Sequence, residues 1–511
     1  MNHQAITNIK TKPIVWFVIF CSLHLLIWTL LPTLLYGNPP KDLVEGIAWG
    51  NLWLWGYEKH PFLAPWLTAL ATDLAGGRVG WPVYLLGQLS VITCFWAVWR
   101  LANKVLSPWH SLLAVVLLEG LGYYSMEAAN FNPNILMLPL WACASLVFYN
   151  ALKDNQIKWW VLLGIFTGLA MVAKYESAVL YGCMLVVLLS TASGRASFKR
   201  PGIYCAIAIA VIIFLPNFIW LAQHNFDALS YATDKLSNSK NDHLPMAIAL
   251  FYHPLRFTVS QALCLLPALF LYIPFYKGAV NKFQTNDFDR RFLLVMGLGP
   301  LLVTLLFSLV TNSELTSSWG VPFFSLTGIL WLAWSQPIIT KQRLGYFFVL
   351  TVFLVLVHAA QEVWVSAYSP YHAPAQKKAN VLAKYSQFFP GQAIAVALTQ
   401  QWHDLYHSPI PYAAGDHDVV INIAAYSPDK PIAYFNVNLA DSPWIDEAQL
   451  KKKGGVFVVI MNDPILAKQR INNITQRFPG LTHPSVQTFP LLTKADSPPL
   501  KVWVAFLAAQ N

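Results

Sequence analysis

The sequence has 511 residues, of which 56% are hydrophobic and only 11% are charged, and its formal net charge is +10. Soluble domains carry about 25% charged residues, so this chain lacks the charge needed to cover a surface that faces water on all sides. Lys and Arg residues concentrate in alternate loops, among them Lys10, Lys12, Arg195, Lys199 and Arg200. This placement is typical of membrane topology, so we expect no nucleic-acid partner.

Apolar runs of membrane-span length recur along the first 365 residues. Residues 14–36 contain no charged side chain, and a membrane-spanning helix needs about 20 such residues. The run is longer than the apolar core of a cleaved signal peptide, so we interpret it as an uncleaved first helix. In total the pattern predicts about eleven spans. The others are residues 83–99, 111–126, 135–151, 159–173, 177–191, 203–222, 254–276, 292–311, 320–336 and 344–365.

The basic loops also predict the orientation of the chain. Positive residues stay on the cytoplasmic side of a membrane, which places the N-terminus in the cytoplasm. Eleven spans then leave the C-terminal region on the outer side. We therefore expect a multi-pass protein of the bacterial inner membrane with its C-terminal region in the periplasm.

The composition changes after residue 365, and shorter β-type runs appear. They are Ala393–Leu398, Val419–Ala424, Ile432–Val437, Val456–Met461 and Val502–Leu507. Residues Asp463–Phe478 predict a helix that begins with Asp463 at its N-cap and Pro464 at its first position. The predicted fold class is therefore mainly α, with a polytopic transmembrane helical bundle in residues 1–365 and a small soluble α/β domain in residues 366–511.

The first outer loop, residues 37–82, carries side chains suited to group transfer. Asp42 and Glu45 are three residues apart, so both carboxylates share one face if the segment is helical. Glu58, Lys59 and His60 follow in the same loop. Transfer of a sugar from a phosphate requires a carboxylate base beside cations that stabilise the departing phosphate. A solvated loop with ordinary surface charges is the alternative.

Several segments, this loop first, resemble the membrane glycosyltransferases of the protein mannosyltransferase superfamily. This family-39-like group has the GT-C fold and includes aminoarabinose and galacturonic acid transferases of lipid A and lipopolysaccharide core. The other similar segments are Asn130–Asn134, Gly168–Tyr175, Pro216–Asp227 and Ser317–Trp319. The resemblance covers roughly residues 1–365 and implies a GT-C glycosyltransferase that uses a lipid-linked sugar.

The resemblance also implies roles for particular residues. Such enzymes use an acidic residue early in the first outer loop as catalytic base, which here is Asp42 or Glu45. Many relatives have adjacent Asp-Glu at this point, whereas here two residues intervene, so the choice between the two stays open. Lys59 and His60 correspond to a Glu-Lys-Pro element and are candidates for contacting the donor phosphate. Lys174 is a third candidate, with a snorkelling lysine as the alternative.

Further candidates come from polar residues near the predicted outer face. Arg256 lies in the first turns of a span, where it would either bind the phosphate bidentately or anchor the helix at the interface. Glu119 and Glu127 flank the outer end of the third span, and Glu119 is the more unusual because it lies deeper. The candidate substrate-binding residues are Tyr57, Glu58, Asn130, Asn132, Tyr175 and His224.

The sequence thus predicts an inverting glycosyltransferase that moves a sugar from a polyprenyl-phosphate donor to lipid A, lipopolysaccharide core, another glycan or protein. Its expected partners are this donor, a lipid or glycan acceptor and membrane lipids. We expect no cofactor and no essential metal, because a single-phosphate donor needs a metal less than a nucleotide sugar does. The alternatives are a lipid or sugar transporter (flippase), which would carry its ionisable residues near the bilayer midplane, and an assembly factor.

Overall fold

The computed structural model describes residues 12–226, 245–277, 279, 282–283, 285–367, 386–492 and 498–510. Within these ranges the chain is mainly helical and ends in a small mixed sheet. This confirms the predicted fold class. Residues 227–244 of the second predicted outer loop, including Asp227, lie outside the described residues.

The bundle consists of α-helices joined by short connections, several of them 3₁₀ turns. The helices are α1 (Pro13–Leu35), α2 (Lys41–Gly50), α3 (Leu63–Leu74), α4 (Trp81–Val105), α5 (Pro108–Val116), α6 (Pro133–Asp154), α7 (Ile157–Ala173), α8 (Ala178–Ser190), α9 (Ala192–Ser197), α10 (Pro201–Gln223), α11 (Met246–Tyr272), α12 (Asp287–Thr311), α13 (Thr327–Ser335) and α14 (Lys341–Ala367).

Among the described residues, seven helices are long and apolar enough to cross a membrane: α1, α4, α6, α10, α11, α12 and α14. Helices α7 and α8 are apolar but shorter. The bundle core surrounds α6, whose apolar window is buried completely, whereas α1 and α10 expose most of theirs. Large apolar side chains on an outer surface suit contact with lipid, because lipid tails are as apolar as these side chains.

Two of the predicted spans are not continuous α-helices. Residues 111–126 change from α5 into short 3₁₀ turns at Leu117–Gly120 and Gly122–Tyr124, and residues 320–336 begin in the 3₁₀ segment Ser317–Phe324. The first break contains Gly120 and Gly122, and Gly is a poor helix former. The second contains Pro322, which lacks a backbone donor. The number of eleven crossings and their orientation therefore stay predictions.

The C-terminal domain, which we define as residues 386–492 and 498–510, wraps helices around a five-stranded sheet. Its helices are α15 (Gly391–Tyr406), α16 (His417–Tyr426), α17 (Glu447–Lys453) and α18 (Pro464–Arg477). Its strands are β1 (Tyr412–Gly415), β2 (Ile432–Phe435), β3 (Gly455–Ile460), β4 (Leu481–Phe489) and β5 (Leu500–Leu507), in the order β2-β1-β3-β5-β4. Strands β2, β1 and β3 are parallel, and β5 is antiparallel to both of its neighbours.

The predictions for this domain were partly wrong. Ala393–Leu398 and Val419–Ala424 were predicted as strands, but they lie in α15 and α16. Short apolar runs do not distinguish a strand from a buried helix. The predicted strands at β2, β3 and β5 are confirmed. So is the helix α18, where the Asp463 side chain accepts the Ile465 backbone N–H at 3.0 Å.

The two faces of the sheet have different environments. One face packs against α15 and α16 through residues such as Ala413, Phe435 and Val458, and this apolar core continues into the bundle. The other face packs against α17 and α18 through residues such as Tyr412 and Ala414. Helix α16 in turn packs against α2 of the first outer loop. The C-terminal domain therefore touches the loop that carries the two candidate carboxylates.

Candidate active site on the first outer loop

Helix α2 presents Asp42 and Glu45 on one face, as the three-residue spacing predicted for a helical segment. The helix begins directly after Pro40, and Asp42 lies in its first turn, where a negative charge interacts favourably with the helix dipole. Gly46 permits close packing on α3, since a Cβ there would lie only 3.3 Å from Thr68 Oγ1. The two carboxylates are thus fixed by a helix packed against a second helix.

Asp42 is held by two amides from the segment that precedes α6. The Nδ2 groups of Asn130 and Asn132 each donate to Asp42 Oδ2 at 3.1 Å. Asn132 is itself fixed, because its Oδ1 caps α6 by accepting the Asn134 N–H at 2.9 Å. The Asp42 side chain is open to the cavity described below, yet the surrounding protein and the Glu45 charge raise its pKa above the ordinary value.

Glu45 has a different environment one turn along the helix. It is 7% exposed, and its Oε1 accepts from Lys59 Nζ at 3.0 Å and from His417 Nε2 at 2.8 Å. Burial alone would raise its pKa, but the hydrogen bond from His417 and the Lys59 charge outweigh burial and lower the pKa to about 2. Glu45 is therefore ionised at neutral pH and is already used as an acceptor.

Lys174 brings a second ammonium group to the same region. Its Nζ donates to Asn134 Oδ1 at 2.6 Å and to Glu176 Oε2 at 2.5 Å. It also lies 5.7 Å from the centre of the Trp319 ring. Lys174 follows directly after the last residue of α7. Its ammonium group therefore lies at the end of this helix, on the same cavity as the carboxylates of α2.

These groups surround one cavity of about 250 Å³. The cavity joins segments that are far apart in sequence and that the family resemblance had singled out separately. Its lining residues are Lys41, Asp42, Glu45, Gly46, Trp49, Lys59, His60, Ala64, Pro65, Thr68, Phe131, Asn132, Pro133, Asn134, Lys174, Ser318 and Trp319. Two carboxylates and three lysines thus converge on a space large enough for a small polar group.

Two further residues predicted from the first outer loop lie next to this cavity without lining it. Glu58 Oε2 is 3.9 Å from Lys59 Nζ, and burial raises the pKa of Glu58 to about 7. Tyr57 is fully buried, stacks on Trp49 and accepts the Leu54 N–H at 3.2 Å. These contacts shape the loop around Lys59.

Three predicted residues are placed elsewhere. Arg256 Nη2 pairs with Glu314 at 2.6 Å, Tyr175 donates to Asn217 Oδ1 at 3.0 Å, and His224 stacks on Trp220 at the end of α10. None of the three is among the residues that line the cavity in the described part of the chain. Their roles in binding donor or substrate stay predictions.

His417 was missed by the sequence analysis, and so was the pair that Lys41 forms with Asp418 at 2.6 Å. Both partners come from the start of α16, which the sequence pattern had assigned to a loop before a strand. His417 lies 372 residues from Glu45 along the chain. Only the fold brings such residues together, and a single histidine in a β-rich region carries no signal of its own.

The C-terminal domain has a second cavity, of about 460 Å³, at the carboxyl ends of β1, β2 and β3. Asp416 lines it, pairs with Arg470 and accepts the Ile460 N–H at 2.5 Å. Arg477 also lines it and pairs with Glu447 at 2.6 Å. Asp416 is the one carboxylate among the described residues that line this cavity, so we assign the candidate catalytic site to the first cavity, which has two.

Comparison with known proteins supports a relation to membrane glycosyltransferases. The profile of the family described as "Dolichyl-phosphate-mannose-protein mannosyltransferase" matches residues 59–220. The lipid A galacturonosyltransferase RgtD of Rhizobium johnstonii is 22% identical over 192 residues, which are 36% of this chain and 39% of RgtD. The lipopolysaccharide core galacturonosyltransferase RgtA of the same species is 23% identical over 344 residues, which are 66% of each chain. The chain thus spans less than two thirds of both curated relatives.

Solved structures support the same fold over nearly the whole chain. ArnT from Cupriavidus metallidurans, bound to undecaprenyl phosphate, superposes with a TM-score of 0.58 at 14% identity and covers 96% of this chain and 98% of its own. The apo structure of the same protein gives a TM-score of 0.55 at 14% identity, with 98% and 99% covered. At this level of identity the likeness concerns the fold.

The fold defines the chain as a GT-C membrane protein with a C-terminal α/β domain. The family match and the two curated relatives, taken together with this fold, support a relation to the GT-C glycosyltransferase superfamily. The resemblance inferred from the sequence segments is thereby confirmed.

Proposed function

We propose that the chain is an inverting glycosyltransferase that moves a sugar from a polyprenyl-phosphate donor to an acceptor of the bacterial envelope. One observation carries the proposal: Asp42 and Glu45 share a cavity with Lys59 and Lys174. A carboxylate base and phosphate-binding cations are the groups that this transfer needs. The long apolar tail of such a donor would stay in the membrane, because each CH₂ group buried there contributes about 0.8 kcal/mol.

In this proposal Asp42 is the base. Burial and the Glu45 charge raise its pKa, which favours taking a proton, and the two neutral amide donors hold the carboxylate in place without pairing it with a cation. Glu45 is a poor base because Lys59 and His417 stabilise its ionised form. Its task is to hold the Lys59 ammonium at the cavity.

The reaction proceeds by a single displacement. The acceptor hydroxyl gives its proton to Asp42 while its oxygen attacks the anomeric carbon from the face opposite the phosphate. The bond from that carbon to the phosphate oxygen breaks, and polyprenyl phosphate leaves with the electron pair. Lys59 and Lys174, with His60 beside them, stabilise the negative charge that grows on the phosphate. Asn132 orients Asp42 and lines the path of the acceptor.

The relatives suggest which donor and acceptor to test. ArnT is described as bound to undecaprenyl phosphate, and the two curated relatives are galacturonosyltransferases of lipid A and of lipopolysaccharide core. We propose a polyprenyl-phosphate-linked uronic acid as donor and lipid A or core sugar as acceptor. The protein would lie in the inner membrane, with residues 1–365 as its membrane domain and residues 366–511 in the periplasm.

The experiment compares envelope glycolipids from cells that lack the protein, express it, or express the Asp42→Asn variant. We expect one added hexuronic acid residue per acceptor in the mass spectrum only with the wild-type protein. Identical spectra from all three strains would contradict transfer to lipid A or core. Transfer of a different sugar would keep the enzyme class and correct the donor.

A further inference from the structure

The contact between α2 and α16 joins the C-terminal domain to the candidate catalytic loop through paired polar groups. Lys41 pairs with Asp418 and Glu45 pairs with His417, so successive turns of α2 face the first two residues of α16. At the other end of the two helices, Asn51 Nδ2 donates to the Ala424 carbonyl at 3.1 Å. The helices are thus joined along their whole length.

The turn between β1 and α16 fixes the direction of the His417 side chain. Gly415 has φ of +134°, and a Cβ at this position would collide with the Val458 carbonyl, so only glycine fits. The next residue, Asp416, is tied to β3 because its backbone N–H donates to Val458 O at 3.1 Å and its carboxylate accepts the Ile460 N–H. His417 follows at once, with its ring packed against Phe435 at 4.5 Å.

His417 lies between two carboxylates. Its Nε2 is 2.8 Å from Glu45 Oε1 and its Nδ1 is 3.5 Å from Asp418 Oδ1. Only 15% of its side chain is exposed. A nitrogen that close to a carboxylate oxygen carries a proton, so Nε2 donates to Glu45.

We propose that His417 is a positioning residue of the active site. It orients the Glu45 carboxylate, which in turn holds Lys59 Nζ where the donor phosphate binds, so that the C-terminal domain completes the catalytic site. This inference rests on the proposed function, and it extends that function to a residue contributed by the C-terminal domain. His417 acts through Glu45 and Lys59 and does not touch the reacting atoms.

The charges around His417 make this arrangement sensitive to pH. Glu45 and Lys41 face it from α2, Asp418 from α16, and Lys59 and Glu58 from the rest of the outer loop. Burial and Lys41 lower the pKa of His417, but the nearby Asp418 carboxylate and the hydrogen bond to Glu45 outweigh them and raise the pKa above its ordinary value. At pH values below the pKa of His417, its ring is charged and attracts the Glu45 carboxylate. This attraction is lost as the pH rises through that pKa.

The test measures transfer by the full-length protein in nanodiscs, with donor and acceptor varied separately. We expect His417→Ala to raise the donor KM on the order of tenfold and to leave the acceptor KM unchanged, because a misplaced Lys59 weakens phosphate binding. His417→Gln keeps an N–H donor and should restore most of the donor affinity. In the wild type the donor KM should rise with pH on the alkaline side, and in His417→Gln this rise should disappear.

Lys430→Ala is the matched control. It removes another ion pair between the same two parts of the chain, the 2.6 Å pair with Asp73, whose side chains are 43% and 37% exposed. An equal rise in donor KM in this variant would show that docking in general matters, and would overturn the role of His417. The positioning role would also be overturned if His417→Ala lowered kcat alone, with an unchanged donor KM, because fewer molecules were folded.

Binding of undecaprenyl phosphate separates this inference from the proposed function. We expect the wild type and His417→Gln to bind it, and His417→Ala to bind it on the order of tenfold more weakly. Equal binding by all three would overturn the positioning role and leave the proposed function intact. If the wild type did not bind it at all, both proposals would be wrong.

Discussion

Two buried Glu–His pairs in the described part of the chain show what distinguishes a structural polar cluster from a candidate site. In the bundle, Glu119 lies 2.7 Å from His24 Nδ1 and accepts from Trp28 Nε1 at 2.9 Å. Gln88 Oε1 lies 3.0 Å from the other His24 nitrogen. The Glu119 and His24 side chains are each 1% exposed, so this cluster is closed and its polar atoms are satisfied internally.

The pair formed by Glu45 and His417 is similarly short, at 2.8 Å, but it has different surroundings. Lys59 shares the same carboxylate oxygen, and Asp42 stands open to the cavity one turn away. Both pairs therefore bury ionisable side chains, but only the pair of Glu45 and His417 lies beside a cavity that a substrate could enter. An ionisable residue deep in a helical bundle is a functional hypothesis by default, yet a cluster that satisfies itself is explained by its own hydrogen bonds.

The largest effect should come from Asp42→Asn, which removes the proposed base while keeping the shape of the side chain. We expect kcat to fall by roughly 10²–10⁴, measured as product formed per folded molecule. Asp73→Asn is the matched control, because Asp73 forms an exposed pair with Lys430 and does not line the cavity. A variant Asp42→Asn with near-normal turnover would move the base to Glu45.

A smaller loss is expected for Lys59→Ala. Removing this ammonium takes one cation from the departing phosphate, which we expect to lower kcat/KM by about 10²-fold. Lys59→Arg tests geometry, because it keeps the charge but replaces a compact ammonium with a planar fork. We expect Lys59→Arg to be more active than Lys59→Ala, because it keeps the positive charge. If Lys59→Ala were active and Lys59→Arg inactive, a role based on charge would be contradicted.

The acid side of the pH profile should separate the two carboxylates of α2. The pKa of Asp42 is raised, so activity should fall about tenfold per pH unit once the pH drops below it. The pKa of Glu45 is lowered to about 2, so the stability from its ion pairs is present above the unfolded value of 4.5 and is lost only as the pH falls toward 2. As the pH is lowered, activity should therefore be lost at a higher pH than the one at which the thermal unfolding midpoint begins to fall. Loss of both at the same pH would contradict this.

Glu119→Ala should show the opposite behaviour. It leaves the buried His24 and Trp28 donors without their acceptor, which should lower the free energy of unfolding by roughly 3 kcal/mol. Activity per folded molecule should stay within about twofold of the wild type, because Glu119, His24 and Trp28 are not among the described residues that line the candidate catalytic cavity. A large loss of turnover at unchanged stability would mean that the closed cluster takes part in function.

The smallest effect is expected from chelation. Two lysines and a single-phosphate donor leave little negative charge for a divalent cation to neutralise, so excess EDTA should leave the rate unchanged. Loss of activity that returned on adding one metal ion would overturn this expectation, and the residues that bind that ion would then have to be found by substitution.

The sequence by itself determined the elements whose signals are local. An apolar run of about 20 residues is long enough to be a helix and too long for a typical strand, so the predicted spans fall on helices, with two breaks in segments that contain glycine or proline. The spacing of Asp42 and Glu45 fixed their shared face once α2 was helical, and Asp463 with Pro464 marked the start of α18. The sequence also identified three further segments as candidates, although it did not predict that they contact one another. They are Asn130–Asn134, Lys174–Tyr175 and Ser317–Trp319.

Only the tertiary structure decided which of these residues share a cavity. In the folded chain Arg256 pairs with Glu314, and His224 stacks on Trp220. The segment predicted as a strand from Val419 is a helix that begins at His417, and the His417 ring contacts Glu45. The physical reason is that helices form from contacts three or four residues apart, whereas a hydrogen bond across 372 residues exists only after two regions have packed.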